Sequence, residues 1–438
     1  MNEMTRMSRA AAAPPPAEEP PERPRTKPRQ SGPFGVLDIG TSKIVCVIGR
    51  IESDHSVRVL GLGWQKGRGV RAGGIVDIEK AERAIRAAVG IAEEEAGTRL
   101  SKVIVNLSAG QPESRLLNVQ WPVGGRAVNE GDLRRVFSAS RTRATSEARS
   151  IIHNLPLAFN VDEAAGVIDP RGLFCETLGA HLHVIDAATT SLRSLDACLA
   201  RCDLEIAELV SAPMAAGLAT LAAEERMLGA TVLDMGGSST GLAVFAEGHL
   251  LHTAQVPLGG MDVTKAIAGA FSTPIANAER LKTLSGSALP SPDDEREILA
   301  FHLVGEEDHL LAKAPRSMLV NIITPQLEKT FEQVRERLDA CGLGRAALQR
   351  VVLTGGASQL QGVRELATRV LGGGNVRLGR PAPLRGLADS STGPAFATAA
   401  GLLGWAAGAG RAFHDLDPDA ERPGGVVRRV IEFLRQRL

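Results

Sequence analysis

Three short segments of this chain place glycine beside an acidic or hydroxyl residue at the end of an apolar, β-branched run. The first runs from Gly35 to Ile44 and carries Asp38, Gly40, Thr41, Ser42 and Lys43. The second runs from Val232 to Val244 and carries Asp234, Gly236, Gly237, Ser238 and Ser239. In both, the run reaches an Asp, turns through Gly and hydroxyl residues and enters a second apolar run, which is the pattern of a β-hairpin with a polar tip. Glycines let backbone N–H groups approach phosphate oxygens, and the hydroxyls add donors. An Asp at each tip suits a hydrated Mg²⁺ held between two lobes. The third segment, Val351 to Ser358, is a strand running into Gly355-Gly356, followed by helical 361–370. Such a turn lets the main chain pass close to a flat ring or a ribose. One such turn is an ordinary tight connection, whereas three in this order point to a nucleotide clamp.

The elements that must hold these tips alternate between strand and helix. Residues 45–48 and 57–61 read as strands, and 61–74, with Gly67, Gly69, Gly73 and Gly74, as a mobile glycine-rich loop. Ile78, Ala81, Ile85, Ala88, Val89 and Ala92 repeat with the helical period over 77–97. Residues 102–184 change character, with strands expected at 102–107, 119–123, 151–159 and 181–185 and a helix at 131–140 capped by Asn129. This unit holds no phosphate loop or catalytic cluster, so recognition suits it better than chemistry. A helix over 187–202 and the segments 204–210 and 213–221 lead to the second tip, and 250–257 follows it. Residues 262–338 read as helical, interrupted by a polar loop at 285–294, with Leu327, Phe331, Val334 and Leu338 in register on one face. A last helix is expected over 394–407.

The 438 residues are enough for more than one domain, and 44% hydrophobic with 23% charged residues is ordinary for a globular protein. Fifty basic and fifty acidic side chains cancel, which argues against a dedicated nucleic-acid binder. No run has the length of a membrane-spanning helix, and no secretory signal is expected. Cys46, Cys175, Cys198, Cys202 and Cys341 read as small buried residues of a reducing compartment, not as metal or disulfide chemistry. His181 and His183 alternate on a strand, with no carboxylate cluster to complete a zinc site. Residues 1–32, rich in Pro, Ala, Arg and Glu, are expected to be disordered. At the other end a polar linker, 415–425, precedes 426–438. On a helix Val427, Val430, Ile431, Leu434 and Leu438 form one apolar stripe, with Phe433 also counted as membrane-facing and Arg428, Arg429 and Arg435 on the polar side. Such a helix, about 18 Å long, is too short to span a bilayer and suited to lying on an anionic membrane surface.

The order of these parts resembles the α/β fold of the actin, Hsp70 and sugar-kinase ATPases. The small insertion after the first helix and the amphipathic tail on a linker are similar to the FtsA family, the bacterial actin homologues of cell division. The resemblance spans residues 33–438. It implies an actin-like ATPase fold, two lobes around a nucleotide cleft, with a small α/β insertion of the SHS2 type in the first lobe. Subdomains would be 33–101 with 185–228, the insertion 102–184, 229–261 with 330–410, and 262–329, followed by a linker at 411–425 and the membrane helix 426–438. ATP and Mg²⁺ are the implied cofactors. Asp38 and Asp234 would anchor the cation through water. Gly40, Thr41, Ser42 and Lys43 would meet phosphate from one side, and Gly236, Gly237, Ser238 and Ser239 from the other. Gly355 and Gly356 would lie at the nucleoside, with Glu328 as a ribose contact.

Two departures accompany the resemblance. The second turn lacks the third glycine and the closing acid of the D-x-G-G-G-T-x-D pattern. Hsp70- and MreB-like relatives place an acid before a proline ahead of this turn, where this chain has Ser211-Ala212-Pro213. With no carboxylate to orient the attacking water, tight Mg·ATP binding with slow or no turnover is expected, at most a weak ATPase. The implied partners are FtsZ at 262–329, further copies of the chain in a head-to-tail filament contacted through 102–184, other division proteins at 102–184, and the membrane; no nucleic acid is expected. The implied place is the cytoplasmic side of the inner membrane at the division site. The rival readings are a PilM-like pilus adaptor and a small-molecule kinase of the same superfamily, and the tail 426–438 is the feature that separates them.

Overall fold

The computed structural model describes residues 32–306, 311–372, 374–387 and 393–408. Residues 1–31 of the N-terminal extension, the whole linker, and the tail with Val427, Arg428, Arg429, Val430, Ile431, Phe433, Leu434, Arg435 and Leu438 lie outside the described residues.

Two five-stranded sheets share one design. In the first, Pro33–Ile39 and Lys43–Ile51 form an antiparallel hairpin, Val57–Lys66 extends it, and Lys102–Leu107 and Glu205–Ser211 add in parallel on the other side. In the second, Ala230–Met235 and Thr240–Ala246 form the hairpin, His249–Val256 is the edge, and Arg350–Thr354 and Asn375–Leu378 add in parallel. Helical crossovers deliver the parallel strands and cover the sheets. The hairpin strands are therefore buried on both faces, and Val36, Leu37, Val45, Ile48, Val232, Leu233, Leu242 and Ala243 are fully enclosed. This is why their sequence reads as continuous apolar runs rather than alternation. One apolar cluster joins the sheets through Ala212–Thr220 and Ala397–Ala407, bringing together Val36, Val45, Met214, Val232, Val352, Leu402 and Trp405.

The helix Ile78–Ala96 starts at Asp77, whose side chain accepts from the Lys80 N–H, and ends at left-handed Gly97. It lies directly on Val57–Lys66. The expected loop over 61–74 is corrected here, because its first part belongs to this strand. A Cβ added at Gly61 or Gly63 would fall 2.2 Å from the Ala92 carbonyl oxygen or 1.9 Å from that of Ala88. The glycines mark close backbone approach, not mobility.

The insertion is a four-stranded sheet in the order Glu113–Ala127, Phe174–Ala188, Arg149–Val161, Ala164–Val167. The helix Glu130–Ala144 covers it, opened by a reciprocal capping box between Asn129 and Asp132. The unit has its own core of Val119, Leu133, Val136, Phe137, Phe159, Leu178 and Leu182. Glu113–Ala127 is longer than expected because, as an edge strand, it exposes most of its side chains and shows little apolar signal.

A second correction concerns 262–338. After the helices Gly260–Phe271 and Ile275–Ser285 comes an antiparallel hairpin, Ile298–His302 with Leu311–Pro315, before the long helix Arg316–Ala340. That helix runs through Pro325 and carries Leu327, Phe331, Val334 and Leu338 on its buried face. All five cysteines are free, four of them buried. No helix among the described residues is long and apolar enough to cross a membrane.

Candidate nucleotide site

Each polar tip is the turn of a buried hairpin, so the sheets fix both tips, and the two sheets aim them at one cavity of about 610 Å³. Asp38, Gly40, Thr41, Ser42 and Lys43 line it from one side, and Asp234, Gly236, Gly237, Ser238 and Ser239 from the other. Gly355 and Gly356 line it from the end of Arg350–Thr354. The tips nearly touch: a Cβ at Gly237 would sit 2.3 Å from Ser42 Oγ. Gly355 has φ +85°, and a Cβ there would meet Asp234 Oδ1 at 2.5 Å. A side chain would thus block the carboxylate as well as strain the backbone.

Glu328 is not brought into this cavity. Its carboxylate accepts from Arg369 at 2.6 Å on the outer side of the long helix, while the neighbouring Leu327 lines the cavity. Consecutive helix residues point about 100° apart, and here the rotation of the helix turns Leu327 to the cavity and Glu328 to Arg369.

The electrostatics of the cavity are unbalanced. Burial raises the Asp38 pKa to about 7, opposed by Lys43 and reinforced by Asp234. Burial also raises Asp234 to about 6, opposed by a hydrogen bond from Thr398 and by Lys43. The Lys43 ammonium is held down to about 8 by burial, opposed by the two carboxylates. Its Nζ has no hydrogen-bond partner among the described residues and lies 3.3 Å from the centre of the Phe396 ring. Two buried carboxylates and an ammonium without an acceptor fit a divalent cation carrying phosphate, because cation and phosphate oxygens would satisfy both. No three His, Cys, Asp or Glu side chains among the described residues are grouped to hold a metal. Asp38 and Asp234 are hard oxygen donors of the kind that could hold Mg²⁺, which keeps waters and phosphate oxygens among its ligands.

The structure adds residues that spacing did not reveal. Glu279 and Lys282, three apart on Ile275–Ser285, line the far end. Lys282 Nζ donates to Glu279 at 2.7 Å, to the Thr264 hydroxyl at 2.8 Å and to the Gly260 carbonyl at 3.0 Å. Their one sequence signal is an i, i+3 charge pair, which on most helices is a solvated face. Gln255 lines the cavity from the edge strand and donates to Ser239 Oγ at 2.8 Å. Asn106 supports the first tip by accepting the Ile39 N–H at 2.7 Å. Asp38, Asp234 and Glu279 are the carboxylates that line the cavity among the described residues.

Comparison with known proteins agrees with this architecture. The family described as "Cell division protein FtsA" matches residues 231–401, and "SHS2 domain inserted in FTSA" matches 109–186. The cell division protein FtsA of Rhizobium meliloti is 41% identical over 394 residues, covering 87% of this chain and 89% of the relative. Its counterpart in Pseudomonas aeruginosa is 32% identical, covering 85% and 89%. Among solved structures, a type IV pilus biogenesis complex of PilM and PilN aligns with TM-score 0.60 at 20% identity, over 85% of this chain and 98% of that one. MreB5 of Spiroplasma citri bound to ADP aligns with TM-score 0.50 at 13% identity, over 85% and 95%. The fold is the actin-like ATPase fold with an SHS2 domain inserted.

Proposed function

The chain belongs to the FtsA family of cell division proteins, and from that membership we propose that it binds Mg·ATP and polymerises on the inner face of the cytoplasmic membrane. There it ties the FtsZ ring to the membrane and recruits later division proteins. The observation that carries the nucleotide part is the pairing of Asp38 and Asp234 across the cleft beside a Lys43 ammonium that lacks an acceptor. The MreB5 structures bound to ADP and to AMPPNP support it by fold.

In this reading Asp38 and Asp234 hold Mg²⁺ through water, and the cation screens the charge on the phosphates. Lys43 and the backbone N–H groups of Gly40 to Ser42 and Gly236 to Ser239 orient the phosphates. Gly355 and Gly356 pass beneath the nucleoside, and Glu279 with Lys282 replaces Glu328 as the pair placed for the ribose hydroxyls. Asp38 and Asp234 are committed to the cation, and Glu279 is engaged by Lys282 and the Thr264 hydroxyl. No further carboxylate among the described residues lines the cavity to orient water, so turnover is slow.

The expected boundaries become assignments of the same proposal. Residues 33–101 with 185–228 and 229–261 with 330–410 form the cores of the two lobes. The insertion 102–184 contacts other division proteins and the next copy in a filament, 262–329 docks FtsZ, and 426–438 anchors the assembly. Filament formation multiplies weak tail contacts by avidity. The sequence relatives favour this reading over a pilus adaptor, since the PilM likeness extends to fold alone.

Binding of a fluorescent ATP analogue to the full chain tests the site. Affinity should fall at least about tenfold when Mg²⁺ is chelated and again in Lys43→Met, the order expected for losing a charge-assisted phosphate contact. Unchanged affinity in both would refute the assignment.

A further inference from the structure

The insertion departs from and returns to the first sheet, yet it also bonds to the edge of the second. Ser114, near the start of Glu113–Ala127, faces the edge strand His249–Val256. Its Oγ accepts the Thr253 backbone N–H at 3.2 Å, lies 3.3 Å from His252 Nδ1 and hydrogen-bonds His183 Nε2. His249–Val256 pairs with a strand on one side only among the described strands, so Ser114 satisfies an N–H that would otherwise face an open sheet edge. His183 is fully buried, and burial together with the neighbouring His252 and His153 lowers its pKa to about 3. It therefore serves Ser114 as a neutral, fixed partner.

The same edge strand forms a wall of the cavity through Thr253, Ala254 and Gln255. Gln255 Nε2 reaches Ser239 Oγ on the second tip at 2.8 Å. Hydrogen bonds at positions 253 and 255 of one strand thus link the candidate phosphate turn to the insertion. The insertion is held together at its base, where buried Asp186 receives Arg149 Nε at 2.5 Å and also pairs with Arg115. Its entry passes through Gly110 and Gln111, both with positive φ.

We propose that His249–Val256 is a relay through which nucleotide in the cleft sets the position of the insertion, acting by way of Ser239, Gln255, Thr253 and Ser114. It rests on the nucleotide reading above. A phosphate oxygen that accepts a hydrogen bond from the Ser239 hydroxyl fixes that hydroxyl, and with it the Gln255 side chain and the strand that carries it. The order extends to Ser114 because the Thr253 N–H and the His252 ring meet it from the same strand. Coupling of this kind is reciprocal, so the position of the insertion also feeds back on nucleotide affinity.

Hydrogen exchange on the full chain, with and without Mg·ATP, tests the relay. In the wild type, nucleotide should slow exchange about fivefold or more in segments 113–118 and 180–186, within the usual span of allosteric coupling. Ser114→Ala and His252→Phe should each lose that slowing while retaining the slowing at 232–241 that reports an occupied cleft. Insertion segments that respond equally in both variants would overturn the relay. So would wild-type insertion segments that ignore nucleotide while 232–241 responds. A wild type that binds no nucleotide, with 232–241 unaffected, would instead sink the nucleotide reading and the relay with it.

Discussion

Replacing Asp38 with asparagine should stabilise the nucleotide-free chain by an amount that depends on pH. Burial lifts the Asp38 pKa from its ordinary 3.8 to about 7, against the opposing pull of Lys43. Between those values the folded chain keeps a proton that the unfolded chain has released, so this group's contribution to stability falls as pH rises. Integrated from about pH 5 to about pH 8, the loss is about 2.5 kcal/mol. Asparagine does not titrate. The unfolding free energy of Asp38→Asn minus that of the wild type should therefore increase by about 2.5 kcal/mol between those two pH values. Any fixed packing effect of the amide cancels in this difference and Asp234, present in both chains, largely cancels too, whereas Lys43 loses the support of Asp38 in the variant, titrates lower and widens the gap in the same direction. Urea denaturation at the two pH values, without nucleotide, reads it directly. Mg·ATP should then narrow the gap at pH 8. At about a hundredfold excess over its dissociation constant it stabilises the wild type by about 2.7 kcal/mol, and the Asn variant by much less. A stability gap that stays constant with pH, or one that narrows toward pH 8, would refute the claim that Asp38 is a strained carboxylate awaiting a cation.

Three further outcomes follow from the same geometry. Steady-state ATP hydrolysis by the full chain should be slow, and robust turnover that Asp234→Ala abolishes would contradict the reading that no carboxylate lining the cavity among the described residues is free to orient water. Gly63→Ala should cost about 1–3 kcal/mol or more in a denaturation experiment, the usual scale of overpacking, because its Cβ would collide with the Ala88 carbonyl at 1.9 Å; wild-type stability would mean that the helix can lift off the strand. A chain ending at Gly425 should lose ATP-enhanced co-sedimentation with anionic liposomes, and equal binding by the full and truncated chains would remove the tail from the membrane contact.

The hairpin-tip side of the cleft was legible in the sequence because its residues are contiguous. A hairpin tip carries its carboxylate, glycines, hydroxyls and Lys43 within a few positions, and burial of the flanking strands makes the run unmistakable. Of the far wall only the turn at Gly355 and Gly356 was, because the rest is assembled from Ile275–Ser285 and one face of Arg316–Ala340. Choosing Glu328 there required knowing the rotation of a helix, and a shift of one residue separates it from Leu327 at the cavity. The hairpin Ile298–His302 with Leu311–Pro315 escaped notice for a related reason. Its strands are short and bury only Leu299, Phe301 and Ala314, too few alternations to outweigh the helical signal on either side. The glycines at 61 and 63 show the limit from the opposite direction. Composition reads them as looseness, whereas the helix lying on that strand makes them a requirement of tight contact. Gln255 and Ser114 lie at the same limit, since each is an ordinary polar strand residue until the second sheet brings Ser239 to the one and Thr253 and His252 to the other within hydrogen-bond reach. Function that depends on the meeting of two sheets is written in the register between them, and that register exists only once both have folded.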